Sequence, residues 1–140
     1  MSFAGANHLA IALAAAASFL FGGVWYGALS QSWLKAIDKT EDQIRKAGRS
    51  MPFLFALTLV AQLVMAWVLA GILGHFGAGQ VTLRTGLITG ALCWLGFIAT
   101  TLMVNDGYQG NRWSLTAIDA GHWLGVLLIQ GAIIGWMGVS

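Results

Sequence analysis

The chain has 140 residues, enough for one domain, with 58 % hydrophobic residues, 9 % charged residues and a formal net charge of +2. Lys35, Asp38, Lys39, Glu41, Asp42, Arg45, Lys46 and Arg49 crowd into one segment, so the remaining stretches are almost free of charge. This excludes an ordinary soluble domain and the basic face of a nucleic-acid binder, and a single cysteine, Cys93, excludes an intramolecular disulfide or thiolate metal cluster.

Runs of about 20 apolar residues are the length of a membrane-spanning helix, and four of them are expected here, at about 9–29, 52–76, 83–104 and 115–139. The stretch Met1–Asn7 lacks Lys and Arg, so the first run is expected to be a retained span and not a cleaved secretory signal. Asn7 is placed to cap it. Along it Ala6, Ala10, Ala14, Ser18 and Gly22 recur every four residues, a ridge of small side chains that lets helices approach closely in lipid. The span ends in Gly22-Gly23-Val24-Trp25-Tyr26-Gly27, and Trp25, Tyr26, Trp33 and Trp113 are expected in the aromatic belts at the membrane interfaces.

Residues 30–51 form the one extended polar segment. Thr40-Glu41-Asp42-Gln43 reads as a capping box that starts a helix, and Gly48 suits its end. Trp33, Ile37 and Ile44 give the segment an apolar side, so it is expected to lie amphipathically on the cytoplasmic membrane surface. Ser50 and Pro52 open the second span, in which Thr58 and Gln62 sit one turn apart. Gly71, Gly74, Gly77 and Gly79 are expected to turn the chain, and Thr82 to cap the third span. Gly86, Thr89, Gly90, Cys93, Gly96 and Thr100 predict a small, weakly polar face on it, ended by Asn105-Asp106-Gly107. Gly121 and Gly125 predict a similar contact on the fourth span.

The motif Gly22-Gly23-Val24-Trp25-Tyr26-Gly27-Ala28-Leu29 followed by Trp33, with Asp119-Ala120-Gly121-His122 and Gly131-Ala132-Ile133-Ile134-Gly135 in the last span, resembles small bacterial four-helix membrane proteins grouped as domain-of-unknown-function family 1761. The resemblance covers nearly the whole chain. It implies an all-α membrane bundle and carries no activity with it. It also implies that Asn often stands at the position of Asp119, which speaks against a role that needs a carboxylate.

The fourth span holds the sharpest functional clue. Asp119, His122 and Gln130 fall at i, i+3 and i+11, on one face of a helix. Counting from an interfacial Trp113, Asp119 lies ~9 Å deep and His122 ~14 Å deep, near the middle of the hydrocarbon layer. Such groups seek partners, and Gln62, Thr89, Thr100 and Tyr26 are the candidates. A carboxylate and imidazole one turn apart can pass a proton or hold a cation. The same pair can equally fix helix register by hydrogen bonds, and the balance tips slightly that way. His8 and His75 belong to no spaced ligand motif, so no metal is expected. No catalytic motif and no cofactor motif is present, and an enzyme is not expected.

The first and third loops carry Lys35, Lys39, Arg45, Lys46, Arg49 and Arg112, which places them in the cytoplasm and both termini in the periplasm of a bacterial inner-membrane protein. The expectation is thus an integral membrane four-helix bundle in the lipid bilayer. Its expected role is structural, as a homo-oligomer or an accessory subunit of a larger membrane complex. The alternative is a small transporter, channel or proton-coupled binder using Asp119 and His122.

Overall fold

The computed structural model of the chain describes residues 5–139; the first four residues of the N-terminal stretch lie outside them. All regular structure among the described residues is helical. Helix α1 spans His8–Ala28, and the Asn7 side chain accepts from Ala10 N at 3.2 Å, satisfying one of its free N-terminal donors. The polar segment folds as two short helices, α2 (Ser30–Ile37) and α3 (Glu41–Ala47), where the sequence points to one. Asp38 parts them in the left-handed region (φ 57°), which Asp tolerates better than most residues. The capping box of Thr40 and Gln43 is formed, and α3 stops at Gly48.

Helix α4 spans Met51–Gly74, with Ser50 as its cap and Pro52 in its first turn. Gly71 and Gly74 stay helical; the chain turns later, at Gly77 (φ 97°), where only a residue without Cβ avoids strain. Thr82 then caps α5 (Leu83–Cys93) reciprocally with Thr85. A π-helical run, Trp94–Ala99, follows, and α6 (Thr100–Gln109) continues the same rod. The rod does not stop at Asn105-Asp106-Gly107. Asp106 instead accepts from Thr116 Oγ1 at 2.7 Å and from Asn111 Nδ2 at 3.0 Å. Its side chain is occupied by the next helix, so it does not compete for its own backbone, and the turn comes at Gly110 (φ 70°). Helix α7 spans Trp113–Met137.

Four stretches, His8–Ala28, Met51–Gly74, Leu83–Gln109 and Trp113–Met137, are long and apolar enough to cross a bilayer. Their outward faces stay apolar: Phe97 is 73 % exposed and Val24 72 %. Water would not tolerate such a girdle, whereas lipid supplies its natural solvent.

Helix α7 is the hub and packs against α1, α4 and α5. Ser18 meets Gln130 and Tyr26 meets Asp119, so α1 and α7 run antiparallel; Gly86 meets Gly131 and Trp94 meets Ala120, so α5 and α7 do too. The sequential pair α4 and α5 touch little despite their short connection. The core gathers Ala10, Ala14, Ala66, Leu69, Ala70, Leu73 and Ile134, all toward one end of the bundle. Along α4 the buried positions begin only at Gln62, while Met51, Phe53, Phe55, Leu57 and Val60 stay exposed. In the first half of α4 Leu54, Thr58 and Ala61 are only half-buried and Phe55 still meets Phe19 of α1, so α4 packs more loosely there than beyond Gln62.

Candidate functional site in the bundle interior

Small residues set the helix spacing from which the site is built. A methyl group on Gly86 would run into the carbonyl of Gly131, and one on Gly131 into the carbonyl of Gly86. Gly90 sits against Leu127 O and Gly135 against Thr82 O, so α5 and α7 meet backbone to backbone. Between α1 and α7 glycines admit rings: Gly121 faces Trp25, Gly125 faces Phe21, and Gly22 faces His122 Nε2, which lies 2.8 Å from where a Cβ would stand. The α1 ridge of Ala6, Ala10, Ala14, Ser18 and Gly22 is buried throughout.

The face predicted on the third span is only partly inside. Gly86, Thr89 and Gly90 are buried, but Gly96 and Thr100 are exposed and Ala99 takes the inner position. The π-helical run widens the turn, so a strict four-residue spacing no longer tracks one face.

Three indole or phenol donors converge on one turn of α7. Tyr26 Oη donates to Asp119 Oδ1 at 2.7 Å, Trp25 Nε1 donates to Ile118 O at 3.0 Å, and Trp94 Nε1 donates to Ala120 O at 2.8 Å. Each carbonyl has a second lone pair and can take an indole alongside its helix bond. The turn that carries Asp119 is thus clasped from α1 and the π-helical run together. Trp25 and Tyr26 both turn toward α7, where an indole or phenol inside the bundle takes a polar partner and Gly121 leaves room for the larger ring. Trp33 packs edge-on to Tyr26 (centroids 6.3 Å apart), and Trp113 is exposed over Gly107.

A second polar cluster lies deeper. Gln130 Nε2 donates to Gln62 O and to Ser18 Oγ, each at 3.1 Å, and Ser18 Oγ lies 2.8 Å from Gln62 Oε1. All three side chains are fully buried. They tie α1, α4 and α7 together at the point where α4 begins to diverge.

Above that knot, α1, α4 and α7 enclose a crevice of about 460 Å³. Phe19, Phe55, Tyr26 and Trp123 give it aromatic walls, Phe19 and Phe55 meeting edge to face with centroids 6.1 Å apart. Gln62 and His122 also line it, and both are buried. Gln62 Nε2 and His122 Nδ1 have no hydrogen-bond partner among the described residues. The His122 ring is held by aromatic contacts: Tyr26 at 4.9 Å, Trp123 at 4.6 Å and Phe21 stacked at 6.1 Å.

Asp119, His122 and Gln130 therefore face α1 as their spacing requires, but they enter three separate arrangements. Tyr26 is the partner of Asp119; Gln62, another candidate for that role, pairs with Ser18 and Gln130 instead. Thr100 Oγ1 donates to its own helix at Gly96 O, 2.9 Å away. His75 Nδ1 lies 2.6 Å from Gly71 O, His8 is exposed, and no group of three His, Cys, Asp or Glu among the described residues is placed to hold a metal. Sequence reasoning gives Ser18 a packing role only, reads the deep Trp123 more as core packing than as a ligand cage, and misses Gly23, Phe19 and Phe55 as crevice residues and Gly131 and Gly135 as contacts. The signals in the sequence are the deep Trp123 and the pairing of Thr58 with Gln62 on the inner side of α4.

Fold and site together define a multi-pass, all-α membrane protein with a polar-floored aromatic crevice between its helices. The chain matches the family described as "Protein of unknown function (DUF1761)" over residues 9–135, and it belongs to that family. No curated protein and no solved structure matches it.

Proposed function

We propose that the protein is a membrane-embedded binding protein that takes an apolar-bodied small molecule from the bilayer into the crevice between α1, α4 and α7, without a chemical step of its own. The crevice itself carries the reading: a volume in the range of small-molecule sites, aromatic walls and a few buried polar atoms at the floor. Its lining side chains lie in the half of the bundle nearest the first loop, where α4 leaves the core, so the ligand enters sideways from lipid. Asp119 and His122 position the site. Asp119 anchors Tyr26, and His122 forms part of the floor.

The loop charges support an orientation with residues 30–51 in the cytoplasm and both termini outside, in the inner membrane of a bacterium as the family resemblance implies. The small-residue ridges favour a homo-oligomeric or accessory-subunit role when read from sequence, but Gly22, Gly86, Gly90, Gly121 and Gly125 all make contacts within one chain. That reading now draws on the apolar outer side of α4 at Phe53, Leu57 and Val60, and the mass of the particle in mild detergent tests it.

Gly23 supplies the test of the binding reading. It lines the crevice, and a side chain added there meets nothing within 4 Å. Gly23→Leu therefore fills the crevice without disturbing the fold. Native mass spectrometry of protein released gently from its membrane is expected to show a bound small molecule on the wild type that is lost in Gly23→Leu. A wild type without any such adduct, or an equal adduct on the variant, overturns the reading.

A further inference from the structure

The crevice floor has a hydrogen-bonding sense that narrows the ligand. The Gln62 backbone carbonyl can only accept, so the Gln130 amide must turn its Nε2 toward it. The same Nε2 gives its other proton to Ser18 Oγ. The Ser18 hydroxyl lies 2.8 Å from Gln62 Oε1 and 3.1 Å from Ala15 O, and its proton, following the shorter contact, occupies the Gln62 oxygen. The relay from Gln130 through Ser18 to Gln62 leaves two buried ends without a partner among the described residues, the acceptor Gln130 Oε1 and the donor Gln62 Nε2, and of the two residues Gln62 is the one that lines the crevice. A buried donor without a partner is costly, and an occupant that supplies an acceptor recovers that cost. His122 Nδ1 stands in the same condition on the facing helix and serves a carbonyl equally well as its N–H tautomer.

The walls set the rest of the molecule. Phe19, Phe55, Tyr26 and Trp123 offer ring faces and edges, and Gly22 and Gly23 leave the α1 side flat. Aromatic walls favour a planar ring by offset or edge-to-face contact, while a flexible acyl chain gains no more there than in the surrounding lipid. The crevice opens toward lipid, so the ligand is itself membrane-soluble.

Resting on the crevice reading above, we infer that the ligand class is a lipophilic ring compound bearing a carbonyl, of which a tailed quinone is the simplest bilayer-soluble form, with its carbonyl oxygen accepting from Gln62 Nε2 and its ring between Phe19, Phe55 and Trp123. The ligand binds by shape and by this one acceptor, and no electron or proton transfer is part of the assignment.

Three probes with the same ten-carbon tail test it on the whole protein in one detergent: decyl-benzoquinone, decylbenzene, and a straight-chain decyl ester. Occupancy is read by native mass spectrometry at matched free concentrations. The wild type is expected to bind the quinone about tenfold more tightly than decylbenzene, the scale of one well-made hydrogen bond, and more tightly than the ester, which has a carbonyl without a ring. Gln62→Met is expected to bring the quinone down to the level of decylbenzene, and Gly23→Leu to abolish binding of both. The comparison of probes on the wild type stands even if Gln62→Met fails to fold. Equal binding of quinone and decylbenzene, lost in Gly23→Leu, overturns the carbonyl assignment and leaves the crevice reading in place. Ester binding as tight as quinone overturns the ring assignment. Binding of no probe, or binding untouched by Gly23→Leu, overturns both.

Discussion

Asp119 is half-buried in an apolar helix, where an unpartnered carboxylate is hard to keep, and what holds it is the phenol of Tyr26. The contact needs an acceptor at position 119 and does not need a charge. Asp119→Asn preserves that acceptor, and its unfolding in detergent is expected to change by less than about 1 kcal/mol, the scale of intramembrane hydrogen bonds. Tyr26→Phe removes the donor and strands the carboxyl, so it is expected to cost about 1–3 kcal/mol in the same measurement. Failure of the Asp119→Asn variant to assemble would show instead that the carboxylate itself is required. Ser18 is the other residue whose weight exceeds its size, because one hydroxyl joins Gln130 to Gln62. Ser18→Ala leaves Gln62 Oε1 and one Gln130 proton unpaired and is expected to cost about 1–3 kcal/mol.

At the scale of elements, the helices are placed by glycine where backbone meets backbone and by rings where glycine leaves a socket. The α5–α7 seam makes the sharper prediction. Gly86→Leu forces side-chain atoms into the Gly131 carbonyl and is expected to cost about 3 kcal/mol or more, read as loss of monodisperse protein on size-exclusion chromatography. Gly96→Leu, farther along the same rod, is expected to elute like the wild type, since nothing lies within 4 Å of its added Cβ. Both belong to the small-residue face that the sequence suggests, but ten residues of regular helix already set Gly96 about 80° from Gly86. Gly96 also falls within the π-helical run Trp94–Ala99, which widens the turn and which no local pattern of small residues announces. The inward turn of Trp25 is hidden from the sequence for a related reason, although Tyr26 already stands there as a candidate partner for Asp119. An amphipathic ring at a helix end suits a membrane interface or a buried carbonyl, and the space at Gly121 that admits the indole is visible only in the fold.

For the molecule as a whole, what is legible in the sequence are the quantities that depend on composition and local chemistry: four apolar spans, the caps at Asn7, Thr40, Ser50 and Thr82, and the face shared by Asp119, His122 and Gln130. The crevice is not legible, because it arises from a divergence between helices. Up to Ala61 α4 reads as continuous apolar helix whether or not it packs, and only the packing of Gln62, Ala66, Leu69 and Leu73 shows where its embrace of α1 and α7 ends. The central claim is that this divergence is a binding site and not simply lipid-facing surface. A photoactivatable decyl-benzoquinone carrying a diazirine on its tail, cross-linked in bilayers and mapped by peptide mass spectrometry, tests it most directly. The account predicts labelling concentrated on the peptides holding Phe19, Phe55 and Trp123 and suppressed in Gly23→Leu. Labelling spread evenly to the outward residues Leu92 and Phe97, and unaffected by Gly23→Leu, would contradict it.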